Sequence, residues 1–360
     1  MPLFAIFAQS WGRWMTDALD KSSSHNRRIA LAIAGCALGG VFLYLTFRDI
    51  PLNDLTHGIG EMKLVYLIPA TVLVLMTQMV RALRFGIILG PFCRLRLKLL
   101  WDLMNIWAGA NMVIPARLAE LVRPYLLVRN GASFSSSLGA VMVERFFDLT
   151  GLLALLGVVL WRSPHLSSSY AMFGKILLAV LVCCYGVVIL ILTRRETALK
   201  IIDKVFSVLP QRISSLLSRV VAHLIEGMGI MTSFPRVLLI LLYSIVLWVL
   251  FSSITFMFLL AFSIEAPFLV AVTIQVLMAL GVALPTAPGF IGTFHAVGRY
   301  ALALFSVNAV VAVSFATMYH LFSVLINVLL GLVSYATGSY KFDHSIFRIP
   351  AETHTAAPEG

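Results

Sequence analysis

The chain is short of charge. Of its 360 residues only 12% are Asp, Glu, Lys or Arg, and only 16 are acidic. A soluble domain carries about 25% charged residues, so a chain this poor in charge, and 60% hydrophobic, is not a soluble globular protein. Neither end carries a long polar domain. Cysteine is scarce as well: Cys36, Cys93, Cys183 and Cys184 are the whole set, and their spacing matches neither a disulfide framework nor a zinc site. No nucleophile–base pair and no phosphate-cradling glycine loop stands out. The shortage of acids leaves a net charge of +11, which in a soluble protein would suggest nucleic acid. Here the cations collect in short segments between apolar runs, where they face the cytoplasm and its anionic lipid. No nucleic acid, metal or cofactor is expected.

What the chain does have is long apolar runs, and they read as an all-α polytopic membrane protein. Full spans are expected at Ile29–Phe47, Leu64–Leu89, Ser133–Trp161, Met172–Thr193, Val237–Ile264 and Ala309–Thr337, each long enough for the hydrocarbon layer. Ile33 to Cys36 resembles a lipoprotein cleavage box, but the apolar run continues well past Cys36 and the segment reads as an uncleaved helix. Residues 1–28 repeat Phe4, Phe7, Trp11 and Met15 at helical spacing and read as an amphipathic helix in the interface. Residues 194–235 form a second interfacial amphipathic segment, and 338–360 a polar, disordered tail.

Charge counting orients these spans. With 1–28, 90–98, 117–130, 194–236 and 338–360 placed in the cytoplasm, those segments hold 19 of the 27 Lys and Arg, and the outward loops hold 3. Both termini are then cytoplasmic, in an inner membrane. The assignment makes 90–131 start and end inside, and 265–308 start and end outside. Each contains two short apolar or amphipathic halves around a break: Pro115 in the first, Pro285, Pro288, Gly289 and Gly292 in the second. Two re-entrant helical hairpins, one from each face, are the expected result, beside about six full spans. The repeats are about 64–161 and 236–337, within one transmembrane domain at 29–337. This is the shape of an inverted-topology repeat. Two short full spans per hairpin, or a kinked helix, fit the hydropathy too.

Charge returns in one place. Arg117, Glu120, Arg123, Arg129, Glu144, Arg145 and Asp148 fall within 32 positions of otherwise apolar chain. At a bilayer centre an ionisable group costs about 2.5–3.5 kcal/mol on insertion scales, and is tolerated mainly where it pairs or lines a cavity. Glu120 lies three residues from both Arg117 and Arg123 and can pair with either; Arg145 and Asp148 can pair at i, i+3. Glu144 then needs a further cation, for which Arg117 and Arg123 are candidates. With Asn111, His295, Arg299 and His320 these are the candidate cavity residues. The pattern leaves two readings open: a salt-bridge network that only fixes helix packing, or a polar cavity for an anionic headgroup. In the second, Arg117, in the first turn after Pro115, adds a bidentate phosphate contact near a helix N-terminus. His295 and His320 can titrate near neutral pH or be hydrogen-bonded interior side chains.

The run Asn111, Pro115, Arg117, Glu120, Arg123, with Glu144, Arg145 and Asp148 after it and Pro285, Pro288, Gly289 and Gly292 later, resembles the transmembrane region of lysylphosphatidylglycerol synthases and the stand-alone proteins that share it. The resemblance covers roughly residues 30 to 337. It implies a lipid flippase-type module; some stand-alone relatives are linked with hopanoid or glycolipid pathways. Two positions depart from the pattern: Ala119 where many relatives carry Gly, and His295 where many carry an acid. The synthases continue into a soluble aminoacyl-transfer domain, whereas the last apolar run here ends at Thr337 of 360 residues, so no aminoacyl transfer is expected. The leading expectation is a non-enzymatic translocase of an anionic or polar lipid (phospholipid, aminoacylated lipid, glycolipid or hopanoid type). Membrane lipids are its substrate, and a homodimer is compatible with it. A secondary transporter of a small polar solute or ion, and a non-catalytic scaffold for lipid-synthesis enzymes, are the alternatives.

Overall fold

A computed structural model of the chain describes residues 36–114, 119–162, 179, 233–282 and 287–338. Every regular element among the described residues is helical. They are α1 (Cys36–Phe47), α2 (Leu52–Gly60), α3 (Leu67–Leu89), α4 (Leu97–Val113), α5 (Val122–Arg129), α6 (Phe134–Arg162), α7 (Phe234–Ala261), α8 (Phe268–Val282), α9 (Thr293–Ala303) and α10 (Ala309–Thr337). Single 3-10 turns precede α3 at Leu64–Tyr66 and α9 at Pro288–Phe290. The expected segment 1–28, all of 172–193 but residue 179, nearly all of 194–235, and the tail beyond 338 lie outside the described residues, as do Pro115, Arg117 and Pro285.

Three helices are long and apolar enough to cross a membrane: Leu64–Leu89, Phe234–Ala261 and Ala309–Thr337. The protein is therefore an all-α, membrane-embedded one. Helix α6 has the length, 29 residues, but carries Glu144, Arg145 and Asp148. Each span meets the expected segment within a few residues, because an apolar medium forces every backbone N–H into an intrahelical bond until a polar flank is reached. Several hydroxyls inside the helices are satisfied the same way. Thr71, Thr77, Thr150, Ser244, Ser252, Thr273 and Thr317 each donate to the carbonyl four residues back.

One element falls where an irregular outward loop was expected. Helix α2 begins after Pro51, whose fixed φ suits a helix start. Leu55, Gly58 and Ile59 recur on one face, and Gly58 sits so close to Ser314 of α10 that a Cβ there would meet its hydroxyl. Three apolar or small positions in nine residues are too few for periodicity to reveal; docking on α10 completes the helix.

The helices pack in a pattern with a simple rule. Within the first half, α3 touches α4 and α6, α4 touches α5, and α5 touches α6. Within the second, α7 touches α8 and α10, α8 touches α9, and α9 touches α10. Between halves, α3 packs on α7, α4 on α10 and α8 on α6. Exchanging α3, α4, α5 and α6 for α7, α8, α9 and α10 turns this set of pairs into itself. The α6–α7 contact is matched by a side-chain bond from Gln78 of α3 to Asn327 of α10, 3.5 Å. Small residues allow the closest approach: at the α4–α10 crossing a Cβ on Gly109 would lie 3.3 Å from Gly331 Cα, and one on Gly331 as near Gly109 Cα. Among lipids, where burial of apolar surface drives little, such close packing is what holds helices together.

The breaks follow local chemistry. Helix α5 ends in a Schellman motif: Gly131 takes φ +88°, its N–H bonds Val128 O, and Ala132 N–H bonds Leu127 O. The Pro-Gly turn uses positive φ at Gly289, Phe290 and Gly292. Gly289 lies against the carbonyl of Met112 at the end of α4, and Gly292 against that of Gly39 in α1. The ends of the two broken segments thus meet, with α1 laid across the second.

Candidate functional site

Glu144 sits one-third of the way along α6 and is buried. Three guanidinium groups converge on it: Arg123 Nη1 at 2.5 Å, Arg145 Nη2 at 3.1 Å and Arg84 Nη2 at 3.3 Å. One turn on, Asp148 takes Arg84 Nη1 at 2.7 Å and Arg145 Nη1 at 3.4 Å. Glu120 takes Arg123 Nη2 at 2.7 Å. Arg84 also donates to Ser244 Oγ of α7, 2.9 Å, whose hydroxyl in turn donates a hydrogen bond to Ile240 O. Helices α3, α5, α6 and α7 thus each contribute a polar group. The cluster is closed on one side, where the side chains of Arg84, Arg123 and Glu144 are at most 2% exposed, and open on the other, where Glu120, Asp148 and Arg145 are 26%, 28% and 37% exposed.

The floor is aromatic. Trp107 of α4 carries Arg123 over its ring at 4.1 Å, Arg81 at 5.3 Å and Arg145 at 5.5 Å. Phe85 and Phe251 flank Arg123 and Arg81 at 5.3 and 5.1 Å. An aromatic face steadies a cation while leaving the N–H groups in its plane free to bond. Arg84 Nε, Arg123 Nε, Arg145 Nε and Trp107 Nε1 are all buried donors without a hydrogen-bond acceptor. Among the described residues, four arginines against three carboxylates leave one positive charge over.

Of the residues expected here, Glu120, Arg123, Glu144, Arg145 and Asp148 come together. Arg117 lies outside the described residues. Asn111 is half-buried in the last turn of α4. The cation Glu144 needed is Arg123, with Arg84 beside it. Arg84 and Arg81 were not among the expected residues: lying near the end of an apolar run, they entered neither the cytoplasmic nor the outward charge count. The available signal was their register: Gln78, Arg81 and Phe85 lie on one face of α3, with Arg84 three residues after Arg81.

His295 and His320 form a second group, in the other half. Their ring centroids lie 4.9 Å apart, and Phe294, Phe47 and Tyr319 pack around them. His320 Nε2 is 2.6 Å from Gly289 O, tying α10 to the Pro-Gly turn. His295 Nδ1 and Thr293 Oγ1 are buried without partners. A neutral trio completes this half: Thr255 donates to Gln275 Oε1 at 2.8 Å and lies 3.2 Å from Tyr319 OH. Arg299 belongs to neither group. It donates to the carbonyls of Thr46, 2.5 Å, and Leu45, 3.3 Å, at the C-terminal end of α1, where a cation complements the helix dipole.

A UPF0104 membrane protein of Methanothermobacter thermautotrophicus is 27% identical to this chain over 268 residues, 71% of this chain and 78% of the relative. The lysylphosphatidylglycerol synthase transmembrane-region family matches residues 32–331, which takes in both halves, the ionic cluster and the Pro-Gly turn. The chain belongs to that family.

Proposed function

We propose that the protein translocates a lipid with an anionic or polar headgroup across the inner membrane. The headgroup enters the ionic cluster while its acyl chains stay in the bilayer, and the two halves, acting as inverted repeats built on re-entrant hairpins, expose the cluster to each side in turn. One observation carries the reading: a buried ionic cluster with one positive charge in excess, closed on one side and open on the other, set on an aromatic floor among apolar helices. A network built only for packing has no need of uncompensated charge at that depth. The exchangeable set of helix contacts supports the alternation, and membership of a lipid-related membrane family supports the substrate class. The chain acts without covalent chemistry, with both termini in the cytoplasm.

Purified protein in vesicles carrying a panel of fluorescent lipids tests this. Movement of at least one labelled lipid, faster than in protein-free vesicles, is expected. Arg123→Lys keeps the charge but loses the planar fork that holds Glu120 and Glu144, and Arg117→Lys loses a fork able to match a phosphate. Both variants are expected to insert and fold, and to move lipid slowly. Near-wild-type rates in both would assign the cluster to packing. Movement of a small polar solute, and of no lipid, would favour a solute transporter.

A further inference from the structure

Among the described residues, three arginines of the cluster have carboxylate partners within 3.4 Å, and Arg81 does not. Among the described residues its hydrogen bond is to a neutral group, Gln78 Oε1 at 3.1 Å. Gln78 in turn donates to Asn327 Oδ1 at 3.5 Å, and Asn327 donates to Ser323 O at 2.7 Å. That chain of amides fixes the orientation of Gln78 without neutralising Arg81. The guanidinium lies over two rings, Trp107 at 5.3 Å and Phe251 at 5.1 Å. Arg81 is the fifteenth residue of α3 and half-buried, within a helix apolar enough to span. Asp148 and Glu144 attract it only from beyond salt-bridge range, and a cation without a direct ion pair at such a position is costly unless something negative joins it. The excess charge of the cluster therefore has an address.

Resting on the translocation reading above, we infer that Arg81 is the anion contact of this site, and that this one cation without a direct carboxylate partner among the described residues selects a monoanionic phosphodiester. The two rings hold the guanidinium plane, so that its free N–H groups meet two phosphate oxygens side by side. Arg145, the most exposed of the paired arginines, borders the same open side. Its charge is already matched by Glu144 and Asp148, so it adds a donor rather than a net charge. A zwitterionic headgroup, which brings its own cation, gains less here than an anionic one. An uncharged headgroup gains least.

The test measures binding by native mass spectrometry of the full chain in detergent. The probes are dioleoyl phosphatidylglycerol, dioleoyl phosphatidylcholine and dioleoylglycerol. A further arm uses soluble glycerophosphoglycerol, to separate a lipid headgroup from the free phosphodiester. Wild type is expected to prefer phosphatidylglycerol, and Arg81→Gln to lose roughly tenfold or more of that affinity, the size of a lost charged hydrogen bond. Arg81→Lys is expected to fall between. Thermal unfolding guards against misfolding: since Arg81 has no direct ion pair, Arg81→Gln should unfold close to the wild-type temperature. A clear drop would make Arg81 a structural residue and overturn the inference, as would equal binding of phosphatidylglycerol and phosphatidylcholine by wild type. Arg81-dependent binding without lipid movement in vesicles would support this contact and reject translocation. Lipid movement at an unchanged rate and with unchanged binding in Arg81→Gln would reject the contact and leave translocation standing.

Discussion

The two halves of the molecule share a contact plan and differ in what they place at its centre. In the first, α3, α5 with Glu120 just before it, and α6 bring four arginines and three carboxylates together, three of the arginines over Trp107. In the second, the corresponding helices α7, α9 and α10 bring Thr255, His295, Tyr319 and His320, with Gln275 from α8. One centre is ionic and the other neutral and aromatic, with Phe258 stacked on Tyr319 at 4.5 Å. One arrangement of helices therefore tolerates either solution, provided each polar group is met. The charged half is the specialised one. The neutral half serves as its frame, joined to it where Gly289 abuts Met112 and where α4 crosses α10 at Gly109 and Gly331.

The most decisive way to break the comparison is topological. In a background without native cysteines, single cysteines near 55, 166 and 266 are expected to react with an impermeant thiol reagent added outside, and those near 96, 130 and 215 not to. The two hairpins would then open to opposite faces. Labelling at 130 from outside would make the halves parallel rather than inverted.

A large energetic difference is expected next. Glu144→Gln removes the carboxylate on which Arg84, Arg123 and Arg145 converge. Breaking such a buried pair typically costs about 3–5 kcal/mol because cations are left uncompensated. Thr255→Val, in the matching neutral trio, loses the neutral bonds to Gln275 and Tyr319, each worth about 1 kcal/mol. Unfolding of the two variants side by side in detergent measures this, and similar losses would deny the ionic half its special standing.

Smaller effects probe the joint between α1 and the turn. Gly292→Ala puts a side chain at φ +88° against Gly39 O, a strain of about 1–3 kcal/mol. Arg299→Met removes the cation at the end of α1 and is expected to cost about 0.3–2 kcal/mol. It should leave lipid binding in the other half unchanged, which the binding assay can check.

Much of this was legible in one dimension. Apolar run length alone placed the spans, because a bilayer imposes both a minimum length and complete backbone pairing. Gly131 marked the end of α5 because only a residue free to take positive φ closes a Schellman motif cheaply. The partners within one helix or a short loop, Arg145 with Asp148 and Glu120 with Arg123, followed from i, i+3 spacing. Only the tertiary structure decided the long-range ones. Arg84 lies 60 residues from Glu144 and 64 from Asp148, and the spacing of its neighbours says nothing of which helix will face it. The same holds for Arg299, whose basic side chain ends on the carbonyls of α1 rather than in a cavity, and for the separation of the two histidines from the arginines. A helix's period states which residues share a face. Which face meets which partner is settled by helix packing, and here by glycines that let α4 and α10 approach closely enough to fix the rest.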